Sequence, residues 1–292
     1  MNPAAALARI APGRDAAKAV LLGEGVWGRV LDLGDGTVVK LMRQGGGLGD
    51  VLELWANERD ALQALAARPL PVAVPRVVDA GVLDVEATGF AAFLRLTRLP
   101  GRALDDDSLA QHAAAPGGRF AAQLGEALAA LHGMADLPGF ADARAAIDRA
   151  HLADMAPQVA AIAGPHVIAA IDAGLAALEH PGVTVASHGD INSTNLLVDE
   201  DGNLSGLIDW AEARRDWREG EFCHLVLMPG ALAPVRAAYE AAAGLTLDDE
   251  RLDLAGLHNA LIGIVICRNI GEAGEAASNE GEARRLIARL GL

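Results

Sequence analysis

The stretch Val185–Trp210 reads VASHGDINSTNLLVDEDGNLSGLIDW, and its reading decides the fold. Two short apolar runs, Leu196–Val198 and Leu204–Ile208, flank the polar turn Asp199-Glu200-Asp201-Gly202-Asn203. A DG step between apolar runs is a strong hairpin signal. Asn195 then begins one strand, and Asp209 lies just past the end of its partner. Antiparallel pairing brings the two together although fourteen positions separate them, and Asp190, five positions before Asn195, falls beside them.

Two carboxylates and an amide converging on one point suit Mg²⁺, which is held by one or two carboxylates together with substrate phosphates. The remaining acid is free to take a proton from a hydroxyl. HGDxxxxN followed by IDW resembles the core of the aminoglycoside phosphotransferase and choline kinase family, which shares its fold with the protein kinases and their HRDxxxxN and DFG segments. The resemblance implies that Asp190 is the catalytic base, that Asn195 and Asp209 are the Mg²⁺ ligands, and that His188 is structural.

Further pieces follow the same order. Ala19–Leu22, Val30–Leu33 and Thr37–Met42 read as three antiparallel strands divided by Gly-rich turns. Gly23, Gly25 and Gly28 form a GxGxxG, a pattern that in dinucleotide-binding folds leads directly into a helix. Here a strand and a DG turn follow, which is the context of the kinase Gly-rich loop over the ATP phosphates. Lys40, in Val38-Val39-Lys40-Leu41, resembles the strand lysine of kinases, which contacts the phosphates. Val51–Ala67 has helical periodicity. Its NERDAL segment resembles the helix carrying the partner glutamate, which selects Glu58 rather than Glu53. Leu94–Arg102 resembles the hinge between lobes, where backbone near Arg98 and Leu99 meets adenine.

The resemblance implies an α+β, bilobal protein-kinase-like fold: an antiparallel β-sheet N-lobe with one helix over residues 1–99, and a mostly helical C-lobe over 100–292. Helices are expected at Gly118–Met134, where His132 reads as core, and at Ala143–Met155, Val167–Leu178, Ala233–Ala243, Leu252–Ile270 and Glu280–Leu290. After Trp210 an acidic loop resembles the family's GDPxxDLA segment. Asp216 matches its first acid. Glu221 stands one residue past the second, and Trp217 replaces the proline. Glu212, Asp216 and Glu221 either face a cationic acceptor or brace and cap local structure.

Composition bounds the rest. The 292 residues are 52% apolar, ample for a core, and carry a net charge of −15, which argues against nucleic acid. No apolar run is long enough for a membrane span, and the N-terminus does not read as a signal peptide. Cys223 and Cys267 stand apart without a CxxC partner, as free thiols in a reducing cytoplasm do. Glycine replaces the HRD arginine and no long activation segment follows Asp209, so the expected acceptor is a small molecule rather than a protein. The expectation is transfer of the ATP γ-phosphate to a hydroxyl of an aminoglycoside or amino sugar, by a monomer or homodimer. Choline, other sugars, hydroxy amino acids, and a non-catalytic nucleotide-binding role on the same fold are the alternatives.

Overall fold

The computed structural model describes residues 2–25, 27–43, 51–134, 136–140, 144–178 and 184–292; the Gln44–Asp50 connector and His180 lie outside them. Helix α1 (Pro3–Ile10) opens the chain, capped by the Asn2 side chain, which accepts from the Ala5 amide. Strands β1 (Val20–Gly25), β2 (Gly28–Asp32) and β3 (Thr37–Met42) precede helix α2 (Val51–Ala67). Then come β4 (Val77–Val82), the short α3 (Val85–Thr88) and β5 (Ala92–Thr97). These strands make one antiparallel sheet in the order β1-β2-β3-β5-β4.

Period-two alternation along β3 sorts the two faces of this sheet. Val39 and Leu41 are fully buried and pack with Leu7 and Ile10 of α1 and with Phe93. Lys40 points the other way, on the face that carries Leu94 and Leu96 against Leu62 and Leu65 of α2. Helices α1 and α3 add to the single helix expected beside the sheet. Asn2 and α1 join the sheet layer through the Asn2 amide, which donates to the Thr88 carbonyl at 2.8 Å.

The rest of the chain is largely helical. The two-residue strand β6 (Arg102–Ala103) leads into α4 (Asp106–Ala114), α5 (Phe120–His132), α6 (Arg144–Ala163) and α7 (Pro165–Leu178). Four short strands follow: β7 (Thr184–Ser187), β8 (Leu196–Val198), β9 (Leu204–Leu207) and β10 (Arg214–Trp217). Helices α8 (Cys223–Val226), α9 (Pro229–Ala243), α10 (Asp249–Ile270) and α11 (Ala273–Leu290) complete the chain. α5 packs along α9, and α10 along α11. Leu124, Leu128 and Leu131 share a continuous core with Trp210, Phe222, Tyr239 and Leu257. That core fixes the frame from which the two small sheets, β6-β8-β9 and β10-β7, present their loops.

Candidate active site

Strands β8 and β9 pair with Leu196 opposite Leu207, as the DG turn predicts. The Ile208 amide donates to the Asn195 carbonyl at 3.0 Å, which carries the pairing one step further and sets Asp209 beside Asn195. Asp209 has φ +61°, and no other non-glycine among the described residues has positive φ. Backbone held in that region costs about 1–3 kcal/mol and persists where its surroundings over-determine it. Here the ladder ends on one side and Trp210 is wholly buried on the other.

Asp190 lies in the loop between β7 and β8 and is ringed by donors. Asn192 Nδ2 donates to its Oδ1 at 2.7 Å, and Asn195 Nδ2 donates to its Oδ2 at 2.9 Å. His224 Nε2 lies 3.0 Å from Oδ1. Burial, the largest influence, opposes ionisation, but the hydrogen bond from His224, the electrostatic pull of the nearby His224 and His188 rings and the Asn192 hydrogen bond outweigh it. The Asp190 carboxyl is held down at about 2.

The backbone of this loop is pinned from behind. His188 is fully buried; its Nε2 donates to the Ile208 carbonyl at 2.9 Å, and its ring lies 4.5 Å from that of Trp210. The His188 and Gly189 amides both donate to the Glu221 carboxylate, at 2.9 and 3.2 Å. Gly189 has φ +80°, and a Cβ there would lie 2.5 Å from the Glu212 carbonyl oxygen, so a side chain is excluded twice over. Glu221 also meets His132 Nε2 at 3.3 Å, and His132 Nδ1 meets the Tyr239 hydroxyl at 2.7 Å. Burial works to raise the Glu221 pKa, yet the hydrogen bond and charge of His132 together with His188 leave it lowered.

From the sheet side, Lys40 Nζ donates to Glu58 Oε2 at 2.7 Å and to Asp209 Oδ1 at 2.6 Å. Glu58 is 1% exposed, whereas Glu53 points to solvent. Burial acts against the Lys40 charge, but Asp209 and Glu58 raise its pKa, so it stays ionised. Burial likewise dominates Glu58 and pushes it up, against the pull of Lys40. Gly23 and Gly25 face open space, while a Cβ on Gly28 would sit 1.9 Å from the Leu41 carbonyl oxygen. The Arg98 amide donates to the Gly36 carbonyl at 2.8 Å and is therefore engaged within the fold. The Leu99 side chain packs over Gly206 on β9.

Three acids expected near an acceptor behave differently from one another. The Glu221 side chain is fully enclosed and turned to the His188–Asp190 loop, which it braces. The one-residue offset is absorbed by the short 3₁₀ turn Arg218–Phe222 and by glutamate's extra methylene. Glu212 pairs with Arg214 at 2.8 Å. Asp216 is 3% exposed on β10, at the wall of a cleft that it shares with His151, Cys223, His258 and Asn259. Sequence reasoning missed His224 altogether. It stands in no motif, and its only signal was its place three residues after Glu221.

Asn195 and Asp209 offer hard oxygen donors of the kind Mg²⁺ takes. The Asn195 amide nitrogen is committed to Asp190, which orients the amide oxygen away from that carboxylate. The donor set therefore fits the ion.

Comparison with known proteins places the fold. The structure is similar to that of APH(2")-IIIa in complex with GDP and kanamycin: TM-score 0.73 and 15% identity, covering 97% of each chain. It is similar to a thermostable mutant of aminoglycoside phosphotransferase APH(4)-Ia in ternary complex with ADP and hygromycin B: TM-score 0.67 and 19% identity, covering 93% of this chain and 94% of that one. It is also similar to the macrolide 2'-phosphotransferase MphH from Brachybacterium faecium, with TM-score 0.61, 20% identity and 95% of each chain covered. At such identities these likenesses establish the bilobal kinase-like fold. No curated protein matches the chain. The model of the phosphotransferase enzyme family matches residues 19–255, and the chain belongs to that family.

Proposed function

We propose that the protein transfers the γ-phosphoryl group of Mg²⁺-bound ATP to a hydroxyl of a small molecule in the cytoplasm. The observation that carries this reading is one constellation: Asp190, ringed by donors, beside Asn195 and Asp209, with Lys40 linking Asp209 to Glu58. In this reading residues 1–99 hold the nucleotide and residues 100–292 carry the catalytic loop and the acceptor. Gly23 and Gly25, with open space where a Cβ would stand, let the phosphates approach the loop backbone, and Lys40 exchanges Asp209 for phosphate oxygens while Glu58 keeps it in place. With the Arg98 amide engaged, adenine meets the backbone groups near Arg98 and Leu99 that the fold leaves unused. Asn195 and Asp209 hold Mg²⁺, which supplies neutralisation of phosphate charge.

Asp190 orients the acceptor hydroxyl and takes its proton as the oxygen bonds to the γ-phosphorus. The bond to ADP breaks, and its electron pair leaves on the β-phosphate oxygen. A base held at about 2 is a weak proton acceptor, so its main work is orientation, with proton transfer late. An aminoglycoside or amino sugar is the first acceptor to try, because two similar structures were solved with kanamycin and with hygromycin B. The test is ADP release from Mg-ATP against a panel of acceptors, in the wild type and in Asp190→Ala. Acceptor-dependent release that Asp190→Ala abolishes supports the reading, and release unchanged by the substitution overturns the assigned base.

A further inference from the structure

His224 links Asp190 to helix α10. Its Nε2 lies 3.0 Å from Asp190 Oδ1, and its Nδ1 lies 3.3 Å from Asn259 Nδ2. A carboxylate offers about four lone-pair positions, two on each oxygen. Asn192 and His224 take the two on Oδ1, and Asn195 takes one on Oδ2. One position on Oδ2 is left for a hydroxyl proton. The amide of Asn259 donating into Nδ1 requires the proton of a neutral imidazole to sit on Nε2, which is the nitrogen facing Asp190. Asn259 itself comes from α10 and lines the cleft that also holds His151, Asp216 and His258.

We propose that His224 is a positioning residue for Asp190: held in its Nε2–H form between the Asp190 carboxylate and the Asn259 amide, it saturates Oδ1 and so reserves Oδ2 as the oxygen that receives the acceptor proton. The proposal rests on the phosphotransferase reading above. It explains why a histidine with no motif occupies the turn after Glu221, since that brace and His224 reach the same loop from one short segment. Without His224, Oδ1 regains a lone pair, the carboxylate gains a second competent rotamer, and the hydroxyl is held in two ways, of which one is productive. Asn259 couples the same contact to the acceptor cleft, so a molecule that touches Asn259 adjusts the base through one imidazole.

Long-range ¹H–¹⁵N spectroscopy of the histidine rings tests the contact without any turnover, with the His224 signals identified by their loss in His224→Gln. The wild type is expected to show the Nε2–H form, and Asn259→Leu to keep that form with its Nδ1 signal shifted by loss of the donated hydrogen bond. An Nδ1–H form in the wild type overturns the proposal. The second readout is ADP release from Mg-ATP, with water and with kanamycin as acceptors. His224→Leu is expected to lower kcat at least tenfold with the KM for ATP and the melting temperature near wild type, and His224→Gln, which restores a donor at similar reach, to recover most of it. An unchanged kcat in His224→Leu, or a fall matched by lost stability and not recovered in His224→Gln, overturns the positioning role. A wild type that binds no Mg-ATP and releases no ADP overturns instead the reading on which it rests, and the ring spectra still report on the contact.

Discussion

Lys40 Nζ and Asp209 Oδ1, 169 positions apart in the chain, lie 2.6 Å apart and join the five-stranded sheet to the end of the β8–β9 hairpin. The same ammonium reaches Glu58 at 2.7 Å, so one cation serves two carboxylates on elements that share no other ion pair among the described residues. Nucleotide binding, in the proposed function, replaces half of this arrangement. Phosphate oxygens take the Lys40 bond, and Asp209 turns to the metal.

Lys40→Met tests that exchange. It leaves two carboxylates facing each other, one of them buried, and removing one partner of a buried pair costs about 3–5 kcal/mol. The expected outcome is a lower melting temperature together with a large rise in the KM for ATP. Glu58→Gln is expected to keep more stability and lose less, because Asp209 still pairs with the lysine. Thermal melts and ATP-dependent kinetics of both variants check the order.

Asp190 sets an acid limit on stability. Its pKa in the folded protein, about 2, lies below the ordinary 3.8, so the folded state favours the ionised form. A depressed carboxylate contributes above the unfolded pKa, and its contribution disappears as pH falls through the folded one. The loss therefore runs from about pH 4 to about pH 2 and amounts to about 2 kcal/mol. Denaturant titrations across that window should show a shallower slope for Asp190→Asn than for the wild type. An equal slope would assign the acid sensitivity to other carboxylates, Glu221 first.

Glu221→Gln is expected to loosen the catalytic loop without touching any reactant. The carboxylate accepts the His188 and Gly189 amides and faces His132, all in the interior. Hydrogen bonds to a buried charge are worth about 1.5–3 kcal/mol, and a poorly matched amide forfeits part of that. Stability and kcat should fall together, with the KM for ATP nearly unchanged. Glu221→Asp should fare no better, since the shorter side chain stands one residue too far along to reach both amides.

The three loop glycines should separate by what surrounds them. Gly28→Ala drives a methyl into the Leu41 carbonyl and is expected to cost about 1–3 kcal/mol, a fall of several degrees in melting temperature. Gly23→Ala and Gly25→Ala meet open space and should leave the melting temperature alone while raising the KM for ATP. Melting curves with and without Mg-ATP distinguish the two classes.

How far the sequence could be read follows from where the signal was local. The hairpin announced itself through its DG turn, and the pairing then brought Asn195 and Asp209 together with no further information. Lys40 and Glu58 were legible through resemblance, as the lysine of an apolar strand and the glutamate of the NERDAL helix, and the structure joins them at 2.7 Å. Strand β10 was not legible: Arg214-Arg215-Asp216-Trp217 has the look of a charged loop and becomes a strand only by pairing with β7. For Glu221 the sequence left bracing and acceptor-facing roles open, because its burial is imposed by the loop it holds, a contact between distant segments. His224 could not be found from spacing, since its partners Asp190 and Asn259 are brought to it by separate elements. Residues 1–18 read only as a short helical or poorly ordered lead-in, and α3 was not read at all: each helix is short, and what holds them is the Thr88 contact and the apolar face of the sheet.

The most direct measurement of the central claim is coupled ADP release from Mg-ATP, with kanamycin, hygromycin B, a macrolide, choline, hexoses and serine offered in turn. Wild type and Asp190→Asn are run side by side, with calorimetry of ATP binding on both. The account predicts that both proteins bind Mg-ATP, that one acceptor class raises ADP release in the wild type, and that Asp190→Asn lowers this rate by about 10²–10⁴-fold. ATP binding by neither protein, or acceptor-stimulated release that survives the loss of the Asp190 carboxylate, would contradict it.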